Sequence, residues 1–337
     1  MRATSLALAF LALASTLAAA PADALDRIKF GTDWKAEAEY GGYYQAKATG
    51  LYAKHGLEVE IRQGGPQVNH SQLLAAGLLD FSISSDTSVA LNFVLNNIPM
   101  VTIAGFFQKN PAVLIAHAGT GVESFADMRG HPVLLSTDTR ESWWLFLKSK
   151  FGLDDSQIRP YTFEMQSFLA DPRVVQQGYV TSEPHTLEQA GAKVKVFLVA
   201  DAGWPSYANM VSTSAKLVHD NPDLVQRFVD ATIEGWYSYL YGEPAPANAL
   251  IKADNPEMTD ELIAYGRAKL KEYGIVDSGQ ALTAGVGAMD EARIEAFLKI
   301  TKAAGIYPAT LDWKRGIDFA FVNHGHGLDL KRALQAK

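Results

Sequence analysis

The chain has 337 residues, a formal net charge of -7, and no cysteine. Without cysteine there is no thiol catalysis, no thiolate metal site and no disulfide. An acidic balance with no basic run excludes nucleic acid as an expected partner and leaves small solutes or other proteins.

The chain opens on MRATSLALAFLALASTLAAAPADALDR, with one early cation at Arg2, an apolar run over residues 6–20 and a small-residue end. This is the pattern of a secretory signal peptide over residues 1–24. Cleavage after Ala20 would leave Pro21 first, so the expected cut follows Ala24, in Ala22-Asp23-Ala24. No cysteine follows to carry a lipid, and no later apolar run reaches the roughly 18 to 20 residues that span a bilayer. An exported, soluble protein is the expectation.

Residues 27–32 predict a strand, 41–52 a helix, and 57–62 (LEVEIR) an alternating strand, which makes a βαβ unit. The order continues with a helix over 68–78, a strand over 81–84, a helix over 87–96, and a strand over 100–107 (MVTIAGFF). After Asn110-Pro111, AVLIAHAG predicts another strand. A short helix around Phe125 and Met128, a strand over 132–136, a helix over 137–151 and a strand over 159–163 follow. Residues 174–177 read as the end of a helix, and 178–181, 193–200 and 208–213 as strands. Beyond Asn221-Pro222 the pattern is helical.

Alternation of this kind predicts an α/β protein with mostly parallel sheets covered on both faces. The restart after Asn110 predicts a second lobe inserted into the first, with crossings near residues 116 and 208. Lobe one then comprises residues 25–116 and 208–337, and lobe two residues 117–207.

Catalytic motifs are absent. There is no HExxH, no GxSxG and no Walker loop. Gly64-Gly65-Pro66 reads as a turn, and Asp154-Asp155 as a helix cap. His324-Gly325-His326 is the nearest approach to a metal spacing, but i and i+2 do not share a helical face, and no third ligand is near. An exported two-lobe protein without catalytic apparatus has the profile of a solute receptor that closes about a hinge.

Ligands in open α/β sheets lie beyond the carboxyl ends of strands, so the candidates follow each strand. Strand one leads to Asp33-Trp34 and Tyr40-Gly41-Gly42, the third to Ser84-Ser85-Asp86-Thr87, and the fourth to Phe107-Gln108. Lobe two offers Thr137-Asp138-Thr139 and Ser182-Glu183-Pro184. At Thr87 and Thr139, helix-start N–H groups are available to a polar or anionic group. The same residues also read as plain helix caps. Trp34 reads either as a stacking platform or as core. Glu183 reads either as a carboxylate aimed into the cleft or as a solvent-facing helix start. Met165, Tyr207 and at most one of Trp143 and Trp144 complete the candidates, since neighbours in a helix do not share a face.

The pattern Asp33, Trp34, Tyr40, Gly42, Tyr44, Ala46, then Gly50, Leu51, Tyr52, Gly56, Leu57, Val59, Glu60 and Ile61, resembles a signature of one receptor family. That family comprises periplasmic binding proteins of ABC importers. It includes thiamine-pyrimidine-precursor, riboflavin and nitrate/sulfonate/taurine receptors and is related to the thiamine pyrimidine synthases. GYVTSEPHTLEQAG (178–191) and AAGLLDFSIS (75–84) extend the resemblance over roughly residues 28–212, with a weaker match beyond.

The resemblance implies a type II two-lobe periplasmic-binding-protein fold, a monomer with no cofactor or metal, and an ABC permease and its ATPase as partners. It also implies that Trp34 and Tyr40 stack on a heteroaromatic ligand while Glu183 accepts from an exocyclic amine. Two departures stand out. Lys35-Ala36-Glu37-Ala38-Glu39 replaces a common Pro-Asn pair, and Tyr40 replaces a common histidine. Extra carboxylates disfavour sulfonate or nitrate and tolerate an amine. The synthases use a cysteine-rich motif that this chain lacks. The leading expectation is a periplasmic receptor for a small, flat, nitrogen-bearing metabolite such as a thiamine pyrimidine precursor. The alternatives are an exported pyrimidine-converting enzyme or a receptor for a sulfonate or aromatic acid.

Overall fold

The computed structural model describes residues 24–65, 68–140 and 142–336. The leader and its cleavage site therefore lie outside the described residues except for Ala24, as do Pro66 of the Gly-Gly-Pro turn and Glu141. Among the described residues no helix is long and apolar enough to cross a membrane.

Two five-stranded sheets organise the chain. The first contains β1 (Asp26–Gly31), β2 (Leu57–Arg62), β3 (Phe81–Asp86), β4 (Met100–Phe107) and, from far along the chain, β10 (Ala208–Ser214), in the order β2-β1-β3-β10-β4. The second contains β5 (Ala112–His117), β6 (Val133–Leu135), β7 (Ile158–Pro160), β8 (Val175–Tyr179) and β9 (Val194–Leu198), in the order β7-β6-β8-β5-β9. In each sheet one strand runs against its neighbours: β10 pairs antiparallel with β3 and β4, and β5 with β8 and β9. The remaining pairs are parallel, as helix-connected strands require.

Three sequence expectations are corrected. β5 belongs to the second sheet, because Val113 pairs with both Gly178 and Leu198. The first crossing therefore falls between Phe107 and Ala112 rather than near residue 116. Residues 175–177 are the start of β8, not the end of a helix; two buried or half-buried glutamines in a central strand had masked the β pattern. The expected helix over 41–52 is broken at Gly50 (φ 74°) into Gly41–Ala48 and Leu51–Lys54. A left-handed residue ends a helix, and glycine takes that conformation without steric cost.

The core of lobe one is aromatic. Phe81 and Phe228 stack with centroids 4.1 Å apart, Phe30 packs on Tyr43 at 4.6 Å, and Trp236 and Tyr239 lie buried on the long helix Pro222–Tyr241. That helix lies directly on Gly41–Ala48. A Cβ on Gly42 would stand 2.2 Å from the Trp236 ring, and one on Gly235 would stand 2.3 Å from the Gly42 carbonyl oxygen. Such backbone proximity admits only glycine. It fixes the start of the first helix, and with it the loop that precedes it.

Lobe one also grips both crossings. The Gln108 side chain donates to the carbonyls of Gly105 (2.9 Å) and Ala288 (2.8 Å). On the return, Arg293 donates to the carbonyls of Pro205 (2.7 Å) and Ser206 (2.9 Å) and lies 3.9 Å from the Tyr207 ring centre.

Candidate functional site: carboxylates at the lobe seam

After β1, the chain is pinned from several sides before it enters the first helix. Thr32 donates to the Trp34 carbonyl (2.8 Å), Gln63 accepts from the Ala36 N–H (2.9 Å), and Asn255 donates to the Ala36 carbonyl (2.9 Å). Asn209 of β10 donates to the Glu39 carbonyl (2.9 Å) and accepts from the Tyr43 hydroxyl (2.6 Å). These bonds turn the DWKAEAEY stretch so that Lys35 faces outward to Glu257 at 2.6 Å, while Glu39 is buried.

Lobe two meets this loop directly. Thr181, just past β8, donates to the Glu39 carboxylate, and Phe163 packs on Trp34 with centroids 4.7 Å apart and on Tyr161 at 5.0 Å. Phe163 adopts a positive φ of 63°, a conformation that costs a bulky residue of this kind on the order of 1 to 3 kcal/mol. Around the same seam, His185 stacks on Tyr265 at 4.6 Å, and Gly266 brings its backbone close to Ala38 and the Thr181 carbonyl. The lobes are closed on one another.

The electrostatics follow from closure. Burial raises the Asp33 carboxyl to about 6, with a bond from the Tyr40 hydroxyl (2.8 Å) offsetting part of the rise. Burial likewise raises Glu39 to about 7, against the bond from Thr181. Glu37 is pushed well above the usual carboxylate range, first by burial and then by the charges of Glu39 and Glu183; Lys35 and the Trp34 indole offset only part of this. Glu183 is raised by burial although Ser182 (2.6 Å) and the Tyr179 N–H (2.8 Å) donate to it. The Asp86 charge reaches Asp33 and Tyr179 as well. The result is a cluster of buried and half-buried acids flanked by Trp34, Tyr161, Phe163 and Tyr179. It suits a flat ligand that brings hydrogen-bond donors or positive charge.

The structure thus brings together Trp34, Tyr40, Asp86 and Glu183 of the sequence candidates. Others are taken up elsewhere. Gly42 packs on Trp236, Phe107 is buried against the same ring (5.8 Å), and Gln108 braces the crossing. The Ser84 hydroxyl bonds to Ser212 inside the first sheet (3.0 Å). Thr87 accepts from the Tyr207 N–H (3.1 Å) and its own N–H goes to Ser206 (3.1 Å), so that helix-start donor is spent within the protein. Tyr207 accepts from the Asp290 N–H (2.8 Å), and Thr139 is buried beside Ser136 (3.0 Å). Trp143 and Trp144 are both core, and Met165 is half-buried against it. Asp154 caps the turn Asp155–Gln157 as expected.

Tyr161, Phe163, Tyr179 and Thr181 were not among the candidates, and Glu37 and Glu39 entered only as extra carboxylates whose place at the cleft was open. Phe163 and Thr181 each closed a predicted strand, so the strand-end rule could have reached them. Among the described residues no group of acids and histidines is arranged to hold a metal ion. His326 instead bonds to Glu234 (3.2 Å), which also bonds to His55 (3.0 Å). That pairing depresses the glutamate and raises His326.

Two mixed sheets in two lobes give the architecture of the periplasmic-binding-protein fold. The chain belongs to the NMT1/THI5-like family, whose profile matches residues 37–247. Its relatives include the riboflavin-binding protein RibY of Chloroflexus aurantiacus, 27% identical over 93% of this chain and 92% of that one. The formylaminopyrimidine-binding protein of Halalkalibacterium halodurans is 25% identical over 77% of this chain and 79% of its own. Among solved structures, the aliphatic sulphonate binding protein SsuA of Escherichia coli superposes with a TM-score of 0.66 at 12% identity, over 87% of this chain and 92% of that one. At that identity the likeness is one of fold alone.

Proposed function

We propose that this protein is the periplasmic substrate-binding component of an ABC importer. It captures a small, flat, nitrogen-bearing metabolite, such as an aminopyrimidine, and presents it to a permease driven by an ATPase. One observation carries the reading. Asp33, Glu37, Glu39 and Glu183 meet at the lobe seam, Glu39 buried and the others half-buried, and burial raises each carboxyl, while Lys35, which offsets part of the rise at Glu37, is turned outward to Glu257. Acids gathered at a seam where, among the described residues, Lys35 offsets only part of the rise at Glu37 call for a ligand that supplies donors. The aromatic rings beside them call for a flat one. Both relatives named above are binding proteins for nitrogen heterocycles, which supports the same class. The acids also argue against sulfonate despite the shared fold, because like charge in a desolvated cleft is costly.

A thermal-shift screen of aminopyrimidines, flavins, aromatic acids, aliphatic amines and sulfonates tests this. A ligand at about 100 times its dissociation constant stabilises the protein by roughly 2.7 kcal/mol. Stabilisation by sulfonates or aromatic acids alone would overturn the proposal. With the best ligand, Trp34→Ala and Glu183→Ala should each weaken binding, the latter by about 1.5 to 3 kcal/mol, as for a hydrogen bond to a charged partner. Native mass spectrometry of the protein as purified gives an independent reading of what it retains. No turnover of the bound molecule is expected; product formation abolished by Glu183→Ala would make the protein an enzyme instead.

A further inference from the structure

A second space opens on the lobe seam, apart from the acidic cleft. It has a volume of about 360 Å³ and is bounded by Ser88 and Asn92 on the helix Thr87–Leu95 of lobe one, Arg140 and Leu145 of lobe two, and Ile306 and Tyr307 of the C-terminal region. Small-ligand sites span roughly 300 to 1,000 Å³, so the space is large enough for a compact molecule. Tyr307 is already engaged, its hydroxyl lying 3.1 Å from both the Ser88 carbonyl and the Asn92 side-chain oxygen.

Arg140 is the unusual member. One terminal nitrogen donates to the Leu135 carbonyl (3.2 Å), yet its Nε is shielded from solvent and has no hydrogen-bond partner among the described residues. A buried guanidinium N–H left unmade is costly, and a guanidinium fork matches a carboxylate in geometry as well as charge. Leu145 and Ile306 give the same space an apolar wall. At the start of the lobe-one helix, Asp86 accepts from the Ser88 N–H (2.8 Å).

We propose that this seam cavity is a second binding site, for a small organic carboxylate whose oxygens meet Arg140 and whose apolar body lies on Leu145 and Ile306. Because its walls come from both lobes, occupancy favours the closed arrangement. Arg140, Leu145 and Ile306 are not among the residues of the acidic cluster.

Calorimetric titration with sodium hexanoate, against sodium phosphate and 1-hexanol, tests the proposal on the whole protein. Hexanoate should bind saturably and more tightly than either control. Arg140→Gln should weaken it roughly tenfold or more, with Arg140→Lys intermediate, while Arg173→Gln on the exposed surface changes nothing. Ile306→Glu, which puts a like charge on the apolar wall, should abolish binding and tests the site without touching Arg140. The absence of saturable hexanoate binding would overturn the proposal. So would equal affinity in a folded Arg140→Gln or Ile306→Glu variant, or phosphate binding as tightly as hexanoate.

Discussion

Glu39→Gln is expected to shift the ligand-free protein toward its closed form by roughly 2 to 3 kcal/mol at pH 8, and by little at pH 5. Closure holds this carboxyl at about 7, against an ordinary value of 4.5. The closed state therefore binds the proton more tightly than the open, hydrated state does. Its advantage is complete below the ordinary value and is lost as pH rises through about 7. Asp33, raised to about 6, acts in the same direction at slightly lower pH. Glutamine keeps an oxygen for Thr181 to donate to but has no proton to lose, so the variant escapes the loss. Small-angle scattering of the ligand-free protein at pH 5 and pH 8 reads the change as the difference in radius of gyration. The same pH response in variant and wild type would refute the account. A cationic ligand reverses the sense, because it needs the ionised acid. Its affinity for the wild type should rise from pH 5 to pH 8, and that rise should flatten in the glutamine variant.

The second large effect is structural. Gly42→Ala is expected to destabilise the protein by roughly 1 to 3 kcal/mol, the usual cost of forcing an extra carbon into a packed core. The added Cβ has the Trp236 ring in its way at 2.2 Å, and the facing helix cannot recede without moving Gly235 off the Gly42 carbonyl. Urea unfolding monitored by far-UV circular dichroism gives the difference, and a change below about 0.5 kcal/mol would mean that the helices separate easily. Ligand affinity should fall as well, since Tyr40 and Glu39 immediately precede the displaced helix.

Much of the architecture was readable because helix and strand periods alternate along the chain. Two failures show the limit. β8 carries Gln176 and Gln177 directly after its first residue, and their side chains bond to Tyr161 (3.2 Å) and to the Ser136 N–H (2.6 Å). Polar residues satisfied by distant partners look, locally, like a solvated helix. β5 is recognisably a strand, but nothing in AVLIAH tells which sheet claims it. That is decided by register with β8 and β9, far along the chain.

The cleft shows the same division. Trp34, Tyr40 and Glu183 could be singled out as candidates because they follow strand ends. The inward turn of Glu39 could not be found, because it depends on Asn209 holding its carbonyl and Thr181 meeting its side chain, both remote in sequence. Phe163 ends a predicted strand and lay within reach of the same rule, but its packing on Trp34 across the seam did not.

The register of β5 with β9 sets Val113 opposite Leu198 and Ala116 opposite Lys195. The inserted lobe therefore enters and leaves through a single doorway, with its two ends side by side on neighbouring strands. A segment attached in this way behaves as a cassette. Its loops, including those that carry Phe163, Thr181 and Glu183, can be exchanged or lengthened without disturbing the aromatic core that holds lobe one together. Descent from a common receptor can then alter what is captured while leaving the supporting half of the molecule nearly unchanged.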